Sequence, residues 1–225
     1  MADSTPVPVI AIDGPSASGK GTVALRVAAE LGFHYLDSGA LYRAAALAAM
    51  KAGANLENDL EVSRITLTLN INFIRDRIKI GNQDVTEAIR EESVSNAASQ
   101  VAAFPKVRAA LLTRQRALRQ PPGLVADGRD MGSVVFPDAV LKIFLTASPE
   151  ERAARRHKQL MEKGMDANMT ALLQDIQERD TRDSARSVAP LQKCADAVLL
   201  DTTGVPVEGV VTQVLALYKR ARQAP

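Results

Sequence analysis

A glycine-rich segment near the N-terminus has the residue types and spacing of a phosphate-binding loop. It follows the apolar run Val9–Ile12 and consists of Gly14, Pro15, Ser16, Ala17, Ser18, Gly19, Lys20, Gly21 and Thr22. Glycines let the backbone curl so that N–H groups point inward, a following helix N-terminus adds partial positive charge, and Lys20 adds a mobile ammonium group. Such a loop suits the polyphosphate of a nucleoside triphosphate. The alternative is a glycine- and serine-rich turn that happens to contain a lysine.

Gly21 is a departure from the usual pattern of such loops. The residue after the lysine is commonly a Ser or Thr that binds Mg2+ directly, whereas here a hydroxyl arrives one position later, at Thr22. We therefore expect any contact between this loop and a metal to run through water and phosphate oxygens.

Composition narrows the classes of protein that the chain can belong to. It has 225 residues, 46% hydrophobic and 24% charged, with a formal net charge of +2, which is typical of one or two globular domains. The small net charge disfavours binding to polymeric nucleic acid or to an anionic membrane. No apolar run approaches the roughly eighteen residues of a membrane span, so we expect a cytoplasmic protein. The single cysteine, Cys194, excludes an internal disulfide and is predicted to be a small buried residue.

Strand and helix patterns alternate along the chain, which predicts an α/β fold with a parallel central sheet flanked by helices. The predicted strands are Val9–Ile12, Tyr35–Asp37, Leu124–Asp127, Val140–Leu145 and Ala197–Asp201. The predicted helices are about Gly21–Leu31, Ser38–Met50 with Ser38 as its cap, Glu87–Ala103, Pro105–Arg119, one that starts at Ser148–Glu151, Thr170–Ser184 and Val207–Arg222. We expect a single domain, residues 1–225.

One segment has a period of two instead. Residues Ile65–Ile74 alternate apolar and polar, a turn is expected at Arg75–Arg77, and Ile78–Gly81 follows. This pattern predicts an antiparallel hairpin or small sheet inserted at about residues 63–85.

Two polar segments follow predicted strands, where ligands of open α/β sheets bind. In Asp37–Arg43, Arg43 lies one turn into a helix and could reach a second phosphate; a capped helix with a solvated arginine is an equal alternative. In Asp127–Asp130, Asp127 could hold Mg2+ through water and Arg129 could reach a substrate phosphate.

Two further sets of arginines have helical spacing. They are Arg152, Arg155 and Arg156, and Arg179, Arg182 and Arg186. Each set shares a helix face and could close over phosphates. However, residues 149–186 contain eight basic and eight acidic residues, a balance that favours solvated helices with surface salt bridges.

Five segments together resemble the bacterial cytidylate kinases of the nucleoside monophosphate kinase family. They are Gly14–Thr22, Asp37–Arg43, Asn96–Arg108, Asp127–Gly132 and Glu178–Asp183. The loop ending in Lys-Gly-Thr is shared by monophosphate kinases in general, whereas Asn96–Gln100 and Asp127–Gly132 are diagnostic of the cytidylate branch. The resemblance implies a P-loop kinase with a monophosphate-binding lobe at about residues 38–123, which carries the β insertion, and lid helices at about 149–186.

The resemblance also implies roles for individual residues. ATP would be bound by residues 14–22 and by Arg155. CMP would be bound by Ser38, Arg43, Ser99, Arg108, Arg129, Asp130, Asp183 and Arg186. Among these, Ser99, Arg108 and Asp130 would contact the cytosine, Arg43, Arg129 and Arg186 the phosphate, and Asp183 the ribose. The catalytic residues would be Lys20, Arg43, Arg129, Arg179 and Arg186. Asp127 would hold Mg2+ indirectly.

The implied reaction is transfer of the terminal phosphoryl group of ATP to CMP or dCMP, in pyrimidine nucleotide salvage and recycling, by a monomer. Another small-molecule kinase, acting on UMP, AMP or an alcohol, is an alternative. A GTP-binding switch protein is a second alternative. However, the segment that matches its Asp-x-x-Gly motif, Asp201–Gly204, is out of the expected order, and no guanine-reading Asn-Lys-x-Asp motif occurs. An RNA-binding module is disfavoured by the balanced charge and by only three Tyr and five Phe.

Overall fold

The computed structural model describes residues 6–74, 77–162 and 164–223. By its contacts, the chain divides into a larger unit, residues 1–36 and 118–225, and a smaller unit, residues 37–117. None of the helices in these described ranges has the length and apolar character needed to cross a membrane.

Strands and helices alternate in the larger unit as the sequence predicts, and the smaller unit contains one helix, over residues 59–68, that was not predicted. The strands of the described residues are β1 (Val9–Asp13), β2 (His34–Asp37), β3 (Ile71–Ile74), β4 (Arg77–Ile80), β5 (Gln83–Asp84), β6 (Leu124–Gly128), β7 (Leu141–Thr146) and β8 (Val198–Asp201). The helices are α1 (Lys20–Leu31), α2 (Ser38–Lys51), α3 (Asp59–Thr68), α4 (Glu92–Val101), α5 (Pro105–Ala117), α6 (Pro149–Glu162), α7 (Met169–Ser184) and α8 (Val207–Gln223). A 3-10 turn, Ala88–Arg90, and a π-helical turn, Met131–Val135, complete the list.

The central sheet has five strands in the order β2-β6-β1-β7-β8. β1 lies in the middle, in parallel register with β6 on one side and β7 on the other. Because β1 is covered on both faces, all five of its residues are buried, as expected of a central parallel strand. The predicted parallel sheet flanked by helices is confirmed. Its register aligns the carboxyl ends of β1 and β6, with Asp13 opposite Gly128.

The core of the larger unit lies between this sheet and two of its helices. α1 packs against α8 and β6, and α6 packs against α7. Buried aliphatic side chains of β1, α1, β7 and α8 form one cluster, which includes Ile10, Val27, Ile143 and Val214.

The smaller unit combines helices with the predicted antiparallel insertion. α2 packs against α3 and α4, and α3 packs against α5. β3, β4 and β5 form a three-stranded antiparallel sheet, which confirms the small sheet within residues 63–85. The predicted turn residues Arg75 and Asp76 lie outside the described residues.

The expected strand over residues 65–68 is wrong, because these residues form the last turn of α3. The Asn58 side chain caps this helix by accepting hydrogen bonds from the N–H groups of Leu60 and Glu61, and two acidic residues occupy its first turn. The cap and the favourable charge at the helix N-terminus outweigh the period-two pattern.

Three smaller expectations also need correction. Asp37, not Ser38, caps α2, since its Oδ1 accepts from the N–H of Ala40 at 2.8 Å. The helix expected from residue 87 begins instead as the separate 3-10 turn. Cys194 is only partly buried. By contrast, the predicted start of α6 is confirmed, because Ser148 Oγ accepts from the N–H of Glu151 at 3.2 Å.

We expect Gly123→Ala to destabilise the larger unit. A Cβ at this position would lie 2.4 Å from Cε2 of Phe33, and the Phe33 ring is held edge-to-face against Tyr218 at 5.8 Å. The overpacking should lower the free energy of unfolding by about 1–3 kcal/mol, measured by urea unfolding. Gly209→Ala is the matched control, because its Cβ would meet Val205 at an ordinary 3.6 Å inside α8. Equal stabilities of the two variants would contradict this account of Gly123.

Candidate active site

The glycine-rich segment forms a curled loop between β1 and α1. A Cβ at Gly14 would lie 2.0 Å from the backbone oxygen of Leu145 on β7, so only glycine fits there. Ala17 and Gly19 have left-handed backbone angles, with φ of 58° and 90°. These angles turn the chain tightly enough for α1 to begin at Lys20, which places a helix N-terminus at the loop.

Lys20 lies across this loop. Its Nζ donates to the carbonyl oxygen of Pro15 at 3.1 Å, and the residue is only 9% exposed. Ser18 is also buried, and its hydroxyl has no hydrogen-bond partner within the described residues. The loop therefore combines a buried ammonium with an available hydroxyl, both suited to bind phosphate oxygens.

Two arginines of α6 donate hydrogen bonds to backbone carbonyl oxygens of the phosphate loop. Arg155 donates to the carbonyl oxygens of Ser18 at 3.0 Å and of Thr202 at 2.6 Å. Arg152, which is buried, donates to the carbonyl oxygen of Ser16 at 3.2 Å and forms a two-pronged ion pair with Asp180 on α7. For Arg152 the interpretation as a solvated salt-bridge residue is wrong, whereas the partly exposed Arg155 also forms an i,i+4 ion pair with Glu151 at 3.0 Å.

Asp180 is a site-supporting residue that the sequence reasoning missed, whereas Arg152 was among the arginines expected to share a helix face. The helical spacing of Arg152 with Arg155 was a signal that both share a face. No local pattern indicated the partner on α7, which lies 28 residues away in the sequence.

A second cluster joins α7 to the segment after β6. Arg129 Nε donates to Asp183 Oδ2 at 2.7 Å, and Arg186 Nη2 donates to Asp183 Oδ1. The Asp183 side chain is 1% exposed and that of Arg186 is 6% exposed. Three residues predicted to bind one nucleotide thus contact one another in the larger unit.

The arginines of this cluster stabilise the ionised form of Asp183. Burial by itself raises the pKa of Asp183, but the guanidinium groups of Arg129 and Arg186, with a contribution from Arg179, outweigh it and hold the pKa below its ordinary value. Asp183 is therefore an ionised acceptor at neutral pH. Guanidinium groups are also the side chains best suited to bind an anionic ligand such as a phosphate.

Asp127 lies at the end of β6, next to the phosphate loop. Its Oδ2 accepts from the hydroxyl of Tyr35 at 2.8 Å, and the residue is 5% exposed. A Cβ at Gly21 would lie 3.1 Å from the same oxygen. Gly21 thus leaves room beside this carboxylate, and the oxygen chemistry of the position fits a hydrated Mg2+ ion.

Asp13, at the end of β1, is a further charged residue that the sequence reasoning missed. Its two carboxylate oxygens accept from the N–H groups of Met131 and Gly132, each at 2.8 Å. Burial raises the pKa of Asp13 to about 6, although the two N–H groups act in the opposite direction. A carboxylate before a glycine-rich loop was the sole sequence signal.

In the smaller unit, Arg43 pairs with the residue that caps its helix. Its Nη2 donates to Asp37 Oδ2 at 2.8 Å, and its side chain is 22% exposed. Gly39 permits this arrangement, because a Cβ there would lie 2.9 Å from Arg43 Nη1.

Three other candidate residues of the smaller unit are buried. Ser38 Oγ donates to Gln115 Oε1 at 2.8 Å. Arg108 donates to the carbonyl oxygen of Ala102 at 3.1 Å, and its guanidinium carbon lies 5.8 Å from the centre of the Tyr42 ring. Ser99 is 5% exposed, and its hydroxyl has no hydrogen-bond partner within the described residues.

The candidate residues divide between the units. Those in the larger unit are residues 14–22, Asp127, Arg129, Asp130, Arg155, Arg179, Asp183 and Arg186. Those in the smaller unit are Ser38, Arg43, Ser99 and Arg108.

Comparison with known proteins agrees with the geometry of the phosphate loop. Residues 10–220 match the family described as cytidylate kinase. The chain belongs to the cytidylate kinase family. A protein of Nitrosomonas europaea named cytidylate kinase is 54% identical over 99% of this chain and 100% of its own length. One of Burkholderia pseudomallei with the same name is 58% identical over 97% of this chain and 96% of its own length.

The fold of this family member also resembles solved structures. An uncharacterized protein from Eubacterium ventriosum aligns with 95% of this chain and 99% of its own chain, with a TM-score of 0.54 and 13% identity. At this identity the likeness concerns the fold alone.

We expect Asp183→Asn to destabilise the protein more at pH 7 than at pH 3. The folded-state pKa of Asp183 lies below its ordinary value of 3.8, so its stabilisation is present above pH 3.8 and is lost as the pH falls through the folded-state pKa. Removing the charge should lower the free energy of unfolding at pH 7 by about 3 kcal/mol. Urea unfolding at pH 7 and pH 3 measures the difference.

Asp138→Asn is the matched control for this prediction. Asp138 forms an ion pair with Arg119 at 2.7 Å, but its side chain is 58% exposed. Its loss should cost less than about 1 kcal/mol at either pH. An equal loss in the free energy of unfolding of the two variants at pH 7 would show that burial of the Asp183 cluster does not strengthen its ion pairs.

Proposed function

We propose that this chain transfers the terminal phosphoryl group of ATP to CMP or dCMP, which yields ADP and CDP or dCDP. The observation that carries the proposal is the cytidylate kinase match over residues 10–220, since that range contains both the phosphate loop and the Arg129–Asp183–Arg186 cluster. Such a reaction serves the salvage and recycling of pyrimidine nucleotides. The GTP-switch and UMP-kinase alternatives are not favoured by the named relatives.

ATP is the donor in this proposal. The N–H groups of residues 14–22 and the start of α1 bind its phosphates, and Lys20 neutralises charge on them. Arg155 supports the same loop through the carbonyl oxygen of Ser18. The helices at about 149–186 act as a lid that excludes water, so that ATP is not hydrolysed.

The acceptor phosphate is assigned to arginines. Arg129 and Arg186 bind it in the larger unit, with Arg43 of the smaller unit as a further contact. Asp183, which is ionised at neutral pH, accepts a hydrogen bond from a ribose hydroxyl. Ser38 contributes a hydroxyl at the start of α2.

The cytosine base is assigned to Ser99, Arg108 and Asp130. Cytosine presents an exocyclic amine, which donates to a carboxylate or hydroxyl oxygen, and a carbonyl and ring nitrogen, which accept from arginine. The buried hydroxyl of Ser99, which has no hydrogen-bond partner among the described residues, and the buried carboxylate of Asp130 supply such acceptors. Uracil reverses the donor and acceptor at that edge, so a preference for cytosine follows.

Phosphoryl transfer here depends on aligning the two phosphates and neutralising their charge, and much less on a general base. The acceptor is already an anionic phosphate, so its oxygen needs no strong base to attack. Lys20, Arg129, Arg179, Arg186 and Arg43 stabilise the charge that spreads over the transferring group. When bound with ATP, Mg2+ adds positive charge at the phosphates, and Asp127 would hold it through water. The protein is proposed to act as a cytoplasmic monomer.

The test of this function is a coupled ADP-release assay with ATP, Mg2+ and a panel of CMP, dCMP, UMP and AMP. We expect rapid ADP release with CMP and dCMP, and slower release with UMP and AMP. ADP release that needs no acceptor would support a nucleotide switch instead. Preference for UMP or AMP would reject the assignment of the base.

Lys20→Ala and Arg129→Ala should each lower kcat for CMP on the order of a thousandfold or more, because each removes a positive charge from the transferring phosphoryl group. Circular dichroism should show that both variants stay folded. Lys51→Ala is the control, since Lys51 is an exposed lysine that donates to the side chain of Gln83, outside the proposed site. Wild-type kcat in either site variant would refute its role.

Ser99→Ala should weaken the binding of CMP without weakening the fold. Its hydroxyl is buried and has no hydrogen-bond partner in the part of the chain that the structure describes, so its removal leaves the free energy of unfolding unchanged or higher. Loss of the hydrogen bond to cytosine should raise KM for CMP about tenfold, with KM for ATP unchanged. Ser63→Ala, which removes a buried hydroxyl bonded to the carbonyl oxygen of Leu60 at 3.0 Å, should leave both constants unchanged.

A further inference from the structure

We propose that Asp13 is a positioning residue that fixes the Arg129–Asp130 segment for CMP through its two hydrogen bonds to the next residues of the chain. The inference rests on the proposed function, because that function assigns CMP contacts to Arg129 and Asp130. Asp13 itself touches neither nucleotide in this proposal.

The geometry shows why one carboxylate can fix this segment. Met131 and Gly132 are the first two residues of the π-helical turn that follows Asp130, and Asp130 offers no side-chain cap to it. Asp13 supplies the missing cap from β1, with one carboxylate oxygen for each N–H at 2.8 Å. The turn itself is wide, since the N–H of Val135 reaches back to the carbonyl oxygen of Asp130 at 3.1 Å.

The same contact links the two nucleotide-binding segments of the larger unit. Asp13 directly precedes Gly14, the first residue of the phosphate loop, and the segment it holds directly follows Arg129 and Asp130. A shift at the end of β1 is therefore transmitted to the proposed acceptor contacts by two short, charge-assisted hydrogen bonds.

The function of Asp13 depends on its charge. The ionised carboxylate accepts both N–H groups, whereas a protonated acid presents an O–H donor toward one of them. Burial, with a smaller contribution from Asp130, raises the pKa of Asp13 to about 6 against the opposing effects of the two N–H groups and of Arg129. The cap therefore weakens as the pH falls through about 6.

Other charged or titratable groups face this region from β7 and from the segment before β8. The side chain of Lys142 lies against Gly132, and its ammonium pairs with Asp196 at 2.7 Å. Cys194 also lies near Asp13, and burial raises the pKa of its thiol, so it stays neutral near pH 6. The titration near pH 6 is therefore assigned to Asp13.

The first experiment compares Asp13→Asn with the wild type from pH 5 to pH 7.5. Asn keeps the size of the side chain and one acceptor but places an N–H donor toward the other backbone N–H, so it imitates the protonated acid. The phosphate of CMP also titrates near pH 6, so the quantity to compare is the ratio of KM for CMP, variant to wild type, at each pH.

We expect this ratio to be about ten at pH 7.5 and to fall to about two at pH 5, where most of the free wild type is protonated as well. The KM for ATP should stay within about twofold. A residue that merely stabilised the fold would change both KM values together. A ratio of one at pH 7.5, a ratio independent of pH, or an equal rise in the KM for ATP would each overturn the proposal.

Asp201→Asn is the matched control. Asp201 also ends a strand and accepts from a backbone N–H, that of Thr203 at 2.9 Å, but it is exposed and caps no segment assigned to CMP. The ratio of KM for CMP, Asp201→Asn to wild type, should stay near one at every pH.

Amide hydrogen exchange of the wild type tests the cap without any substrate and without a variant that must fold. Protection factors of the Met131 and Gly132 amides should fall about tenfold between pH 7.5 and pH 5, while those of β7 stay constant. Constant protection at Met131 and Gly132 would overturn the proposal. Loss of protection in a protein that does not phosphorylate CMP would reject the proposed function but leave the cap by Asp13 standing.

Discussion

Buried charged groups at the carboxyl edge of the parallel sheet must each find a partner, and this requirement arranges most of the candidate site in the larger unit. An uncompensated charge in such a place costs several kcal/mol, so the chain surrounds it with groups of opposite charge or with backbone dipoles. Asp183 meets this need with two guanidinium groups, whereas Asp13 meets it with two backbone N–H groups. The site is thus assembled by electrostatics at the ends of strands, on a core of aliphatic side chains.

This pairing has a direct consequence for the proposed reaction. Arg129 and Arg186 are long, flexible side chains, and Asp183 holds both in place before any ligand arrives. Less conformational entropy is then lost when a phosphate binds. The phosphate loop is also ordered without a ligand, because Arg152 and Arg155 of α6 donate hydrogen bonds to its carbonyl oxygens.

Two features of the structure oppose stability and favour function. The buried hydroxyl of Ser99 has no protein partner among the described residues, and the carboxylate of Asp13 stays in a buried position that raises its pKa to about 6. Both groups cost free energy in folding. Buried polar groups of this kind are common at functional sites, where a ligand, or a segment that contacts the ligand, supplies the hydrogen bonds.

Local patterns in the sequence determined the strands of the central sheet, the phosphate loop and the start of α6, because strand runs, glycine spacing and a Ser-Pro-Glu-Glu cap act over a few residues. They misassigned residues 65–68, where the cap at Asn58 outweighed the alternating pattern. Only the tertiary structure decided which charges meet. Asp13 and Met131 are 118 residues apart, and Arg152 and Asp180 are 28 apart. Such contacts have no local signature, because they depend on how the strands stack and on how deeply their ends are buried.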